Sequence, residues 1–384
     1  MTLKKRKGYK YRLYPNESQE ILINKTFGCT RQISNLLLNE KDSVYDLFKD
    51  YPELLHSHTY LTPAYYKTIY PYLKEVDAQA LTSAWLDLKN AFNNFFKGTH
   101  KHPVYKSKKR LKKSYTTHTT NNNIRFESNK IKLPKLGVVK IRQHRPLPEG
   151  AMIKAATISK TAANKYYVSL RIEYQENKKI ENDFKKVIGL DFSLNGFYVD
   201  TEGKKANYPM YYINSLKKLA KEQRKLSKKL QGSNNYYKQK QRVAIIHEKI
   251  ANQRNDFLHK ESRKLVDEYD IISVESLDLI DMMKNKYFSK KVSDISYNKF
   301  LNYLSYKCDD AGKILLKVNK YFASSKICSN CGTKKKTLPL HIRTYKCECG
   351  NVIDRDHNAA INLATKGMMS YLRNIIEAGT ALIA

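Results

Sequence analysis

Alternating apolar and polar positions mark the first element. Tyr9, Tyr11 and Leu13 share one face of residues 3–13, the period of a half-buried strand. Pro15-Asn16 ends it. Asn16, with Gln19 three residues on, has the form of a capping box and opens a helix to about residue 47. Pro63 and Pro71 punctuate a second helical stretch. From about residue 76 to 96, Ala80, Leu81, Ala84, Trp85, Leu88, Ala91, Phe92 and Phe95 form a broad stripe, the core face of a helix. Strand signals follow at 124–126, 131–133 and 138–141, and then a hairpin, 152–160 and 165–174. In its second arm Tyr166, Val168, Leu170, Ile172 and Tyr174 alternate with more polar partners. The first 180 residues thus predict a β-domain with a helical insertion.

Residues 175–186 are polar and charged, the composition of a linker, and a new pattern starts after them. Residues 187–191 form an apolar strand ending in Asp191; 197–199 form a second, closed by a Thr-Glu-Gly turn. Two long basic helices, about 214–230 and 236–268, break at Gly232-Ser233-Asn234. Leu216, Leu219, Leu226 and Leu230 give the first an a/d-like seam. Residues 271–275 are another apolar strand, ending in Glu275. A helix at 295–311, a strand at 314–318, a loop-rich module at 328–349 and a helix from Asp356 onward complete the pattern. No repeat or low-complexity segment interrupts it. No run of about 18 apolar residues is present to span a membrane, and none follows the basic N-terminus to make a secretory signal.

Composition narrows the partners. A chain of 384 residues exceeds one ordinary core and predicts two or three domains. Lys and Arg total 71 against 36 Asp and Glu, a net charge of +35, which strains the folded state by self-repulsion unless a polyanion neutralises it. Nucleic acid fits, because each phosphate contact releases a counterion. A membrane surface is the competitor, but no basic amphipathic anchor dominates the sequence. The 29 tyrosines suit stacking on unpaired bases, although most serve packing. Lys101, Lys106, Lys108, Lys109, Arg110, Lys112 and Lys113 surround Tyr105 in a basic linker, 101–114. No helix-turn-helix or finger array is evident that would read a long DNA site.

Two sets of residues carry candidate chemistry. Asp191 and Glu275 each end an apolar strand, and Asp354-Arg355-Asp356-His357-Asn358 opens the last helix. Singly, such acids are strand ends or helix caps. The order strand–Asp, strand–Glu, helix–Asp is the plan of a ribonuclease-H-like nuclease, in which three carboxylates hold two divalent ions. One ion activates water and the other steadies the leaving oxygen. Magnesium suits such hard oxygen ligands. The second set is Cys328-Ser-Asn-Cys331-Gly followed by Cys347-Glu-Cys349-Gly: four thiolates on two tight turns, a closed structural zinc site. Cys29 and Cys308 stand alone. This usage belongs to a reducing compartment, not to a disulfide framework.

Together, Gly189-Leu190-Asp191-Phe192-Ser193, Val274-Glu275, the cysteine module and Asp354-Arg355-Asp356-His357-Asn358-Ala359-Ala360-Ile361-Asn362 resemble TnpB, the transposon-encoded relative of compact type V CRISPR effectors. Tyr11-Arg12-Leu13-Tyr14-Pro15 and residues 252–260 extend the resemblance more weakly. It implies an α/β multidomain chain: a wedge-type β-barrel (1–15 and 111–180) with an inserted helical recognition domain (16–110), and a RuvC-like nuclease domain (186–322 and 353–384) with an inserted zinc ribbon (323–352). It implies an RNA-guided DNA endonuclease in the bacterial cytoplasm, acting at the nucleoid. The catalytic magnesium ligands would be Asp191, Glu275 and Asp356, with Asp354 the alternative to Asp356. The zinc ligands would be Cys328, Cys331, Cys347 and Cys349. Its implied partners are a guide RNA from the transposon end, double-stranded target DNA beside a short motif, and a separate transposase of the same element; no membrane partner is implied. Two departures stand out. The second knuckle is C-x-C where relatives often have C-x-x-C, which predicts a tighter zinc site. Ser193 stands where many relatives carry glycine. The competing readings are an RNA-guided regulator that does not cut, which the retained acids oppose, and a transposase that joins strands directly.

Overall fold

The computed structural model describes residues 2–109, 113–177, 186–339 and 341–381. The chain divides into two units, Met1–Lys178 and Lys179–Ala384. Arg110 and Lys112 of the basic linker, and 178–185 of the polar linker, lie outside the described residues.

In the first unit, β1 (Thr2–Tyr14) leads into α1 (Glu17–Phe48), followed by short helices α2 (Pro52–Ser57) and α3 (Pro63–Ile69) and by α4 (Ala78–Phe96). The capping box forms: Asn16 Oδ1 accepts from Gln19 N at 2.9 Å and Gln19 Oε1 accepts from Asn16 N at 3.1 Å. Six strands follow: β2 (Ser114–His118), β3 (Arg125–Glu127), β4 (Lys130–Leu133), β5 (Gly137–Arg142), β6 (Met152–Lys160) and β7 (Tyr166–Asn177). They join β1 in an antiparallel sheet of order β2-β6-β7-β1-β5-β4-β3. Both alternation signals lead inward, with Tyr9, Tyr11 and Leu13 buried against the 166–174 face. The helical stripe packs as a separate core, Ile33, Leu37 and Leu38 of α1 against Leu81, Ala84, Leu88 and Phe92 of α4.

The expected barrel does not close. Among the described residues, β2 and β3 are edge strands with no pairing to each other. At β2, α1 and α4 cover the sheet: Tyr115 is buried with Phe27 and Ala80, its ring 5.7 Å from that of Phe27. The strand β2 itself has no counterpart in the sequence reading, because its Ser-Tyr-Thr-Thr-His buries Thr117 where an apolar residue would signal a strand.

The second unit holds β8 (Val187–Ser193), β9 (Phe197–Asp200), α5 (Tyr211–Ser227), α6 (Asn234–Glu268), β10 (Ile271–Glu275), α7 (Leu279–Lys284), α8 (Ser289–Ile295), α9 (Tyr297–Ala311), β11 (Ile314–Val318), β12 (Thr344–Lys346), β13 (Val352–Asp354) and α10 (Arg355–Ala381). Its main sheet runs β11-β10-β8-β9. The first three strands are parallel and β9 turns back along β8. Helices α7 and α8 escape the periodicity reading because each is shorter than about two turns. The seam of α5 is partial: Leu219 is buried, but Leu230 lies beyond the helix and is 81% exposed.

Helix α10 lies directly on this sheet. A Cβ on Gly189 of β8 would overlap the Ala360 carbonyl oxygen, and one on Gly367 would overlap Ser273 Oγ of β10. Ser273 Oγ also donates to Leu363 O at 2.7 Å. Backbone thus meets backbone at Gly189 and a side chain meets backbone at Gly367, which fixes the height and rotation of α10 above the strand ends.

Candidate functional site

The parallel register assembles the acids. Leu190 of β8 is opposite Val274 of β10, so the next residues, Asp191 and Glu275, stand side by side toward the carboxyl ends of the two inner strands; Glu275 in turn is opposite Val318 of β11. Asp356 stands in the first turn of α10, above β8. Burial pushes the Asp191 carboxyl up to about 8, reinforced by the charges of Glu275 and then Asp356 and opposed by Arg355. Burial also raises Glu275. The charges of Glu275 and Asp356 thus both reach Asp191, and protonation or a cation there relieves the repulsion. Arg343 Nη1 lies 3.7 Å from Asp356 Oδ2.

Asp354 and Asp356 have different surroundings. Asp354 Oδ1 accepts from the Asp356 and His357 amides, 2.9 and 3.0 Å, and so caps α10. The Asp356 carboxylate has no such task in its own helix.

Tyr297, at the start of α9, escaped the sequence reading. It is 1% exposed, its ring is 4.7 Å from that of Phe192, and among the described residues its hydroxyl has no hydrogen-bond partner. Burial first, then the charges of Asp191 and Glu275, push its pKa up. An orphaned buried donor beside two carboxylates is the surrounding of a polar ligand, and three hard oxygen donors suit Mg²⁺.

The four cysteines converge. Their sulfurs all lie within 4.8 Å of one another, with Cys328–Cys349 and Cys331–Cys347 each at 3.6 Å. A tetrahedral zinc with Zn–S near 2.3 Å sets its sulfurs about 3.8 Å apart, so the donor set fits zinc, and the C-x-C knuckle closes the cluster as well as the C-x-x-C one. Asn351 Nδ2 donates to Cys328 Sγ at 3.4 Å.

Two more residues join this module to α10. Asn358 Oδ1 accepts from Ser329 N at 2.9 Å, and its Nδ2 donates to Ile327 O at 2.7 Å. Asn362 Nδ2 donates to Ile327 O and Ser324 O, at 2.7 and 2.8 Å. Both asparagines are buried. The signal was present in the sequence: two amides four apart, and so on one face of the helix, in a stretch that also holds Ala359, Ala360 and Leu363.

No helix among the described residues is long and apolar enough to cross a membrane. Comparison with known proteins bears on the rest. A family model described as "Probable transposase" matches residues 169–286, and one described as "Cas12f1-like, TNB domain" matches 297–363. A third, described as "Helix-turn-helix domain", matches 1–49, where this chain has strand β1 and the unbroken helix α1. A Streptomyces pristinaespiralis protein named "Putative RNA-guided DNA endonuclease" is 33% identical over 94% of this chain and 90% of its own. The Escherichia coli K12 protein named "Putative RNA-guided DNA endonuclease InsQ" is 26% identical over 100% of this chain and 94% of its own. A "TnpB-like protein" of Acanthamoeba polyphaga mimivirus is 30% identical over 33% of this chain and 25% of its own. A solved structure described as a Cas12f1-sgRNA-target DNA complex shares the fold, with a TM-score of 0.55 at 13% identity over 94% of this chain and 99% of that one. The chain belongs to the TnpB family, in which the Streptomyces and Escherichia coli relatives carry the name "Putative RNA-guided DNA endonuclease" and the mimivirus one "TnpB-like protein".

Proposed function

We propose that this protein is an RNA-guided DNA endonuclease whose cleavage site is Asp191, Glu275 and Asp356. The observation that carries this is the parallel register that sets Asp191 beside Glu275, with Asp356 in the first turn of the helix packed on the same strands. Asp191 and Glu275 hold hard-oxygen donors on the two inner strands, and α10 brings Asp356 to them. When bound, Mg²⁺ supplies the charge that lets all three stay ionised, together with the water activation and leaving-oxygen stabilisation of a phosphodiester hydrolase. Asp354 serves as the helix cap and Asp356 as the ligand.

In this reading residues 1–15 and 111–180 form the wedge, 16–110 the recognition helices, 186–322 and 353–384 a RuvC-like nuclease domain, and 323–352 a zinc ribbon. The target is chosen by base pairing with a guide RNA from the transposon end, because phosphate contacts carry no sequence information. The first unit reads the short flanking motif. Lys225, Lys228, Lys229, Lys238 and Arg242 line one groove between α5 and α6 and hold nucleic-acid backbone.

The test combines two arms. Asp191→Ala, Glu275→Ala and Asp356→Ala should each abolish cleavage while guide RNA binding survives, and Asp354→Ala should lower stability more than catalysis. Changing the guide segment of the RNA should move the cut to the newly matched DNA. Cutting by RNA-free protein at the same places would replace this reading with that of a plain nuclease or transposase. Binding without cutting by the intact chain would replace it with that of a regulator.

A further inference from the structure

The cysteine module and the third acid are joined by more than sequence. Cys328 lies between Ile327 and Ser329, and the Asn358 carboxamide grips the backbone on both sides of it, accepting from Ser329 N and donating to Ile327 O. One turn further along α10, Asn362 donates to the same Ile327 carbonyl and to Ser324 O. Asn358 is 0% and Asn362 6% exposed. On the other side of the module, β13 pairs with β12 and runs without a break into α10, and Arg355 N donates to Arg343 O at 2.7 Å. Asp356 is therefore held between two attachments to the segment that carries the cysteines.

A buried carboxamide is a costly way to hold a helix in place, since an apolar side chain packs there without any need for partners. What a carboxamide adds is direction: its bonds are satisfied at one rotation of the helix and lost at others. A metal on Cys328 would stiffen the 327–329 backbone that these two amides read.

We propose that the cysteine module is a positioning clamp for the nuclease site, with Asn358 and Asn362 as the residues that convert its zinc-held backbone into the placement of Asp356. Neither asparagine touches substrate; both act through α10. The inference rests on the reading of Asp356 as a ligand of the cleavage metal.

The experiment uses the full chain with guide RNA and compares wild type with Asn358→Ala, Asn362→Ala, Asn351→Ala and Asp356→Ala. Asn351 donates to Cys328 Sγ and Ser329 Oγ, and among the described residues its side chain makes no hydrogen bond to α10, so it perturbs the module without the link. Zinc is counted by elemental analysis. Mn²⁺ binding is followed by electron paramagnetic resonance, and the Mg²⁺ dependence of cleavage is measured in parallel. With zinc loaded and RNA bound, Asn358→Ala and Asn362→Ala should weaken Mn²⁺ binding about 10- to 100-fold, the range for removing a residue that orients a metal ligand. High Mg²⁺ should restore much of the cutting. Asn351→Ala at full zinc should bind Mn²⁺ as wild type does. Should Asn358→Ala fail to fold, Asn362→Ala decides. Wild-type Mn²⁺ affinity in the zinc-loaded asparagine variants, with Asp356→Ala impaired, overturns the clamp alone. Wild-type affinity in Asp356→Ala overturns the reading of the acid site on which the clamp depends.

Discussion

Replacing Gly189 with alanine tests how the acids are brought together. Ile188 and Leu190 on either side of it are fully buried in the core, while Gly189 faces α10 across the opposite side of β8. The added Cβ would overlap the Ala360 carbonyl oxygen and crowd Ala364 N at 2.7 Å. Both are helix backbone, so no side chain can swing aside. Relief requires α10 to lift or slide by about 1 Å. Overpacking of this kind costs about 1–3 kcal/mol. At roughly 2–4 °C per kcal/mol for a unit of this size, the melting temperature should fall by about 2–12 °C. The functional loss should be larger. Asp356 begins one turn before Ala360 and would move with it, and a misplacement near 1 Å costs on the order of 100-fold in rate. Single-turnover cleavage with saturating guide RNA measures this, and RNA binding should hold. Wild-type cutting at a wild-type melting temperature would refute the close approach and the placement of Asp356 drawn from it.

Other outcomes follow from the same geometry. Asp191 holds its proton to about pH 8 in the folded protein, whereas the unfolded chain releases it near 3.9, so the folded state binds more protons between these limits. In buffer without added divalent ions, stability should therefore fall as pH rises from about 4 to 8, by at most about 1.4 kcal/mol per unit. Asp191→Asn should lack that slope and Mg²⁺ should flatten it; thermal melts across pH that match in wild type and variant would contradict the assignment. One zinc per chain should be found, and Cys328→Ser should lose it, while Cys29→Ser and Cys308→Ser, both in apolar cores, should retain it. Changing Lys228, Lys229 and Lys238 to Gln should weaken RNA binding and lower the slope of log affinity against log salt by about one for each phosphate no longer neutralised; an unchanged slope would remove that groove from the interface.

Much of this architecture was legible because apolar spacing reports local periods faithfully. The strand of Tyr9, Tyr11 and Leu13, the capped helix from Asn16 and the strands ending in Asp191 and Glu275 all lie where alternation and caps put them. The cysteine pair spacing carried the cluster by itself. What stayed hidden depends on how distant residues meet. Strand β2 buries a threonine, and β-pairing with β6 overrides its weak pattern. Barrel closure is a matter of which edges meet, which no local period encodes. Asp294 is wholly buried among Tyr208, Arg254 and the first amides of α5, yet in sequence it is one more acid beside lysines. That Asp354 caps α10 needed the helix start, because two acids two residues apart look alike until one is seen bonding the amides of the first turn.

The run of β13 into α10 also sets an order of events during synthesis. Asp191 and Glu275 are joined through parallel strands that fold from the earlier part of the second unit, but the third acid follows the cysteine module in the chain. A nascent chain can build most of its basic surface and engage RNA before Asp356 exists. Under the proposed reading, ribosome-stalled or prematurely terminated products ending before that helix would be binders that cannot cut, so the cell meets a nuclease only once translation has passed the module.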